Sequence, residues 1–241
     1  MDGAGIVNST MSDGVSTPLH PYYPLGVAIP SYVAKVLTTQ EILAIFVATC
    51  LGILVPTLIY IRHARSDLPS SEVFTVLWFV LCGFIHIGLE GYFAFNAHDI
   101  AGQSTILAQL WKEYSFSDSR YLTADTFVVC METITAAFWG PLSFACAWFI
   151  VADHPLRHPL QSIISLGQLY GDVLYYATCT FDSVNLGIEY SRPDPAYFWG
   201  YYVFLNAFWI VIPTCLLVHS TRETGRAFTA MRKASLARGA K

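Results

Sequence analysis

The chain has 241 residues, 54% of them hydrophobic and only 12% charged, where soluble domains carry roughly 25% charged residues. That composition excludes an ordinary soluble enzyme and points to a membrane protein. A net charge of -4 has its signs segregated, with a basic tail from Arg222 and acidic loops around 96–125 and 181–196, so nucleic acid is not an expected partner.

Residues 1–38 are polar, rich in Gly, Ser and Pro, and hold a single basic residue, Lys35. They do not read as a cleavable signal peptide and form a polar N-terminal segment. Within it, Asn8-Ser9-Thr10 is an N-x-T sequon. A span needs about 20 mostly apolar residues, and five segments qualify: 40–61, 73–95, 126–151, 160–181 and 197–218. The expected fold is therefore all-α, a polytopic bundle of five transmembrane helices over residues 39–221, followed by a basic tail at 222–241. Pro56, Pro141 and Pro213 fall inside three spans and mark plausible kinks. Between the second and third spans, Ile106, Leu107, Leu110, Trp111 and Tyr114 recur at helical spacing. They predict a short amphipathic helix at the interface or capping the bundle.

Nine basic residues fall on the side of the first and third loops and the tail, and four, Lys35, Lys112, Arg120 and Arg192, on the other. The positive-inside rule then places the C-terminus in the cytosol and the N-terminus across the membrane. The six cysteines stand singly, with no CxxC pair, and are expected to be buried apolar residues rather than disulfides or zinc ligands.

Ionisable residues at mid-membrane cost about 2.5–3.5 kcal/mol each, so those inside the spans ask for a reason. His86 and Glu90 lie four residues apart in CGFIHIGLEGYF, Gln168 and Asp172 share that spacing, and Glu132/Thr135 and Asn206/Trp209 are three apart. Each helix can thus turn one polar stripe inward, and together the stripes could line a polar intramembrane cavity. Asn206, Gln168 and the threonines also suit interhelical hydrogen bonding, and Asp172 could pair with an arginine such as Arg120. For His86, Glu90 and Glu132 a buried ion pair is the plain alternative, but two acids exceed what one histidine needs. His-x-x-x-Glu is metal-ligand spacing, yet a third strong ligand is missing, so no metal is expected. No G-x-S-x-G motif supports hydrolysis. Proton chemistry remains, since one histidine and two carboxyls in a dry pocket can hold a protonated group beside an unprotonated one. Trp78, Trp111, Trp139, Trp209, Tyr121, Tyr170, Tyr175 and Tyr176 add π-faces able to stabilise a cation.

The stretches CGFIHIGLEGYF, LWKEYSFSDSRY, VCMETITAAFWGPL, HPLR, GQLYGDVLYY and YFWGYYVFLNAFWIVIP closely resemble, in order and spacing, the EXPERA family and its sterol delta8-delta7 isomerases. The similarity runs from about 74 to 213 and touches LHPYYP at Leu19–Pro24. It implies a multi-pass enzyme of the endoplasmic reticulum, needing no cofactor and forming a homodimer in the bilayer, that shifts the C8=C9 bond of a sterol to C7=C8. It further implies that His86, Glu90, Glu132, Thr135, Asn206 and Trp209 are active-site positions, with Asp118, Arg120 and Tyr121 supporting the pocket. On this reading His86, Glu90 and Glu132 carry the proton transfer. Substrate contacts are expected from Thr135, Asn206, Trp209, Tyr121, Asp118, Arg120, Trp111, Tyr114, Gln168, Asp172 and Tyr175. Asn206 and Thr135 are expected to orient the carboxyls, and a site built around a transient cation is expected to bind lipophilic amines. A noncatalytic sterol or amine receptor, or a sterol transport factor, on the same fold is the rival expectation.

Overall fold

Residues 20–239 are described by a computed structural model, and every regular element among them is helical. The Asn8 sequon, Leu19 and Lys241 lie outside the described residues.

Helix α1 (Thr39–Ala64) starts at a capping box. The Thr38 hydroxyl accepts from the Glu41 amide at 3.3 Å, while the Glu41 carboxylate accepts from the Thr38 amide at 2.8 Å, so two amides the helix leaves without partners are satisfied reciprocally. Helix α2 (Ser70–Asn96) follows Pro69 and contains a π-helical turn at Ile85–Glu90. Thr105 caps the short α3 (Ile106–Tyr114) by accepting from the Ala108 amide at 3.2 Å. Asp125 likewise caps α4 (Thr126–Val151) through the Val128 amide at 3.0 Å, and a second π-helical turn occupies Thr135–Trp139. Helix α5 (Arg157–Leu186) stops at Gly187, whose φ of 66° is the left-handed conformation that closes a helix at least cost with glycine. The last helix, α6, begins as a π-helix at Ala196–Leu205 and continues as an α-helix at Asn206–Gly239.

Four of these helices, α1, α2, α4 and α6, are long and apolar enough to cross a membrane. Helix α5 has 30 residues but is interrupted by Gln161, Gln168, Asp172 and Asp182, which separates it from the others by composition rather than length. Helix α1 buries only Ile42 and Ile61, and its outward Val47, Leu51, Val55 and Ile59 are exposed, as suits a peripheral helix in lipid. Helix α2 packs against α1 and against the second half of α4, and α5 packs against α4 and α6. At one end Arg157 pairs with Glu72 at 2.5 Å and Arg65 donates to the Val151 carbonyl at 2.6 Å. At the other end Lys35 pairs with Glu113, Arg120 with Asp118, and Arg192 lies over the Phe116 ring. The two groups of basic residues therefore occupy opposite ends of the bundle.

The amphipathic helix expected between the second and third spans is α3, and it caps the bundle. Its polar face is not turned to water, because residues 20–38 fold over it. Gln109 accepts from the Val36 and Leu37 amides at 2.8 and 2.7 Å, and Lys112 donates to the Val33 and Gln103 carbonyls. Tyr22, fully buried, donates from its hydroxyl to the Lys112 carbonyl at 3.0 Å. The N-terminal stretch looked featureless in sequence because its contribution is mostly backbone hydrogen bonding, which leaves no apolar period.

Two further expectations are corrected. Cys82 and Cys146 are buried and Cys50 and Cys179 partly so, whereas Cys130 and Cys215 are exposed; a thiol is apolar enough for an outer, lipid-facing surface. Arg120 does not pair with Asp172. Its guanidinium is taken by Asp118 at 2.7 Å, by the Thr178 hydroxyl at 2.9 Å and by the Tyr175 carbonyl. Burial works against its charge, and the adjacent Asp118 carboxylate overrides that and holds it protonated.

Candidate functional site

Between the capped end and the apolar core around Phe79, Cys82, Cys146 and Ile164 lies a cavity of about 590 Å³, within the range that encloses small organic ligands. Its wall is mostly apolar, with Leu54, Phe74, Leu77 and Ile212 at the end away from α3. Leu43 of α1, Phe74 of α2 and Phe208 of α6 line it while remaining exposed, so part of its wall is shared with the outer surface of the bundle.

The polar stripes converge here. His86 and Glu90, both in the π-helical turn of α2, meet through Nδ1 and Oε2 at 2.7 Å. Glu132, buried at the end of the first part of α4, has the Glu90 carboxyl and the His86 ring as neighbours. Its Oε1 accepts from the Tyr121 hydroxyl at 2.6 Å. Burial and the adjacent Glu132 carboxyl hold the Tyr121 phenol well above its ordinary range, so it stays a donor. From α5, the Gln168 amide nitrogen lies 3.0 Å from His86 Nε2. An amide there donates to neutral imidazole and, turned over, accepts from the imidazolium, so Gln168 can accompany either protonation state. The Trp209 ring stands 6.5 Å from the His86 ring and 5.3 Å from Trp78.

Trp111, Tyr114, Thr135, Asp172, Tyr175 and Asn206 also line the cavity. The orienting roles expected for Asn206 and Thr135 are not the ones found. Asn206 donates to the Tyr114 hydroxyl at 3.0 Å and to the Tyr202 carbonyl at 2.7 Å, and the Thr135 hydroxyl is spent on the Met131 carbonyl at 2.8 Å. The carboxyl of Glu132 is held by Tyr121 instead. Asp118 and Arg120 stand outside the cavity, as a buried pair behind Tyr121 and Tyr175. Glu113 lines the cavity too, where its carboxylate accepts from Tyr197 and Tyr201, each at 3.2 Å. Sequence reasoning passed over it because α3 is too polar to be a span; its place in LWKEYSFSDSRY was the available signal.

The π-helical turns matter for this geometry. Such turns insert one residue into the helical ladder and recur at functional sites. Here Ile85–Glu90 carries the His86/Glu90 pair, Thr135–Trp139 follows Glu132 directly, and Ala196–Leu205 leads into Asn206. The α-helical period assumed from sequence still brings His86 to Glu90, since a side chain four residues on is a neighbour in either helix.

Gly167 lets the wall close. A Cβ there would run into the Trp139 indole, with three ring carbons inside van der Waals contact. Gly167→Ala is expected to push the indole toward the cavity and shrink it while costing about 1–3 kcal/mol of stability, checked by ligand affinity beside thermal unfolding.

Comparison with known proteins gives a consistent picture. The profile of the EXPERA (EXPanded EBP superfamily) matches residues 106–220. A 3-beta-hydroxysteroid-Delta(8),Delta(7)-isomerase of Mus musculus is 40% identical over 213 residues, covering 86% of this chain and 90% of its own. The enzyme of that name from Cavia porcellus is 39% identical over 208 residues, covering 86% and 89%. That from Rattus norvegicus is 39% identical over 214 residues, covering 87% and 90%.

Proposed function

From a chain that belongs to the EXPERA family we infer a sterol isomerase, a 3-beta-hydroxysteroid-Delta(8),Delta(7)-isomerase that moves a ring double bond within one molecule. The observation that carries the reading to the chemistry is the meeting of His86, Glu90 and Glu132, from α2 and α4, at one mostly apolar cavity.

The shift from C8=C9 to C7=C8 adds a proton at C9, leaves a tertiary cation at C8 and removes a proton from C7. Oxidation state is unchanged, so no electron carrier is required. In the proposed mechanism His86 and Glu132 deliver and recover the proton, and Glu90 holds His86 through Nδ1. Tyr121 fixes Glu132, whose place next to Glu90 allows one proton to serve the cluster. The Trp209 face and the carboxyls stabilise the cation, which favours the transition state over either neutral alkene. The same preference predicts binding of lipophilic amines, which carry that charge permanently.

The proposal includes five spans, with α5 as the fifth: its Gln168, Asp172 and Tyr175 line the cavity, and its Ile163, Leu166 and Val173 are exposed and apolar. It places the chain in the endoplasmic reticulum as a homodimer, on the family resemblance. The excess of Lys and Arg at the Arg65/Arg157 end and along the tail supports a cytosolic C-terminus and a lumenal N-terminus. The test is expression in a cell lacking delta8-delta7 isomerase, read by sterol profiling. Conversion of accumulated delta8 sterols is the expected result. Unconverted delta8 sterols in a cell whose membranes gain amine binding would establish the noncatalytic alternative.

A further inference from the structure

Helix α5 points three unpartnered groups at the cavity. Among the described residues Gln168 Oε1, Asp172 Oδ2 and Tyr175 Oη are buried with no hydrogen-bond partner, and all three residues line the cavity. They stand at i, i+4 and i+7, on one helical face. Gln168 is committed to His86 through its amide nitrogen. Asp172 touches no cation, because the arginine nearest in chemistry, Arg120, is engaged by Asp118. It is also not needed by the proton-transfer cluster, which already has two carboxyls and an imidazole. A carboxyl kept in an apolar wall without a donor is costly, and a donor brought by the ligand relieves that cost.

We propose that Asp172 is the acceptor for the 3β-hydroxyl of the sterol, and so the residue that sets substrate polarity and orientation in the cavity. The proposal rests on the sterol reading above. A sterol of this class has one strong hydrogen-bond donor, the hydroxyl at the far edge of ring A. The direction of α5 supplies the geometry. It runs from Arg157, paired with Glu72, toward Thr178, which holds Arg120. Asp172 therefore lies one turn, about 6 Å, nearer the α3 cap than Gln168 and the imidazole it contacts. The separation of a sterol's 3-oxygen from its C8–C9 bond is of that order. With the hydroxyl on Asp172 and the C8–C9 bond beside His86 and Glu132, the alkyl side chain extends to the apolar end formed by Phe74, Leu77 and Ile212.

The test compares the affinity of the purified full chain for three delta8 sterols differing only at C3: the 3β-alcohol, the 3-ketone and the 3-deoxy compound. Parent protein is expected to prefer the alcohol over the deoxy sterol by about 10- to 100-fold, as for a hydrogen bond to a charged group. Asp172→Leu is expected to lose that preference by weakening the alcohol alone. Asp172→Asn, an isostere that brings an N–H donor, is expected to shift the ketone-to-alcohol ratio toward the ketone by about 10-fold. These are ratios within one preparation, so a smaller folded fraction leaves them unchanged. An undiminished alcohol preference in Asp172→Leu, or none in the parent, overturns the proposal. Turnover of the alcohol by the same parent preparation reports separately on the isomerase reading. Active protein with an unchanged ratio sinks the anchor alone, and inactive protein with the expected ratios sinks the isomerase alone.

Discussion

Glu132→Gln is expected to lower the rate of sterol isomerisation by about 100- to 10,000-fold, the usual contribution of a positioned acid or base, with little change in sterol affinity. The amide keeps the shape of the side chain and still accepts from Tyr121, so the cavity and the Glu132–Tyr121 contact survive while the ionisable group is lost. His86 and Glu90 remain, but they form one unit, an imidazole bonded to a carboxyl at 2.7 Å, and moving a proton on at C9 and off at C7 calls for a second group. Kinetics on purified protein read this result. A variant retaining more than about a tenth of the parent's turnover would remove Glu132 from the chemistry, because even the weakest general acid–base contributions exceed that.

Arg120→Met is expected to act through folding. Asp118 is fully buried and has its carboxylate against the Arg120 guanidinium at 2.7 Å, with both side chains at most 2% exposed. Taking away one member strands a buried charge, at a cost of about 3–5 kcal/mol. Thermal unfolding and yield of folded protein should both fall steeply. Asp118→Asn combined with Arg120→Met should recover part of the loss, because the stranded charge is then absent. The folded remainder should keep its sterol affinity, as neither residue lines the cavity. Normal stability with lost turnover would instead assign Arg120 a direct part in the reaction.

These two residue classes differ in how legible they were. His86/Glu90 and Glu132 stood out because charged groups inside apolar runs demand a partner, and helical spacing says which face they share. The pairing partners were less legible, since they depend on which helices pack together. Asp118 with Arg120 is a pair two residues apart around a 3-10 turn, and spacing rules written for helices do not find it. Tyr121 reaches Glu132 from the connecting segment, and Asn206, grouped by spacing with Trp209, turns to Tyr114. The π-helical turns left no trace either, because each adds a residue to the ladder without disturbing the apolar run. Residues 20–38 were hidden for another reason, since much of what binds them to α3 is backbone amides and carbonyls, beside the Tyr22 hydroxyl and the Lys35–Glu113 pair. The capping box at Thr38 and the N-caps at Thr105 and Asp125 were local, as such signals are, but not singled out.

The central claim is that protein groups in one cavity exchange a proton with the sterol ring. It is tested most directly by a single turnover of a delta8 sterol with excess enzyme equilibrated in deuterium oxide, followed by mass and NMR analysis of the delta7 product. The account predicts one deuterium at C9, and no labelled product from Glu132→Gln on the same timescale. A delta7 product carrying only protium at C9 would contradict it.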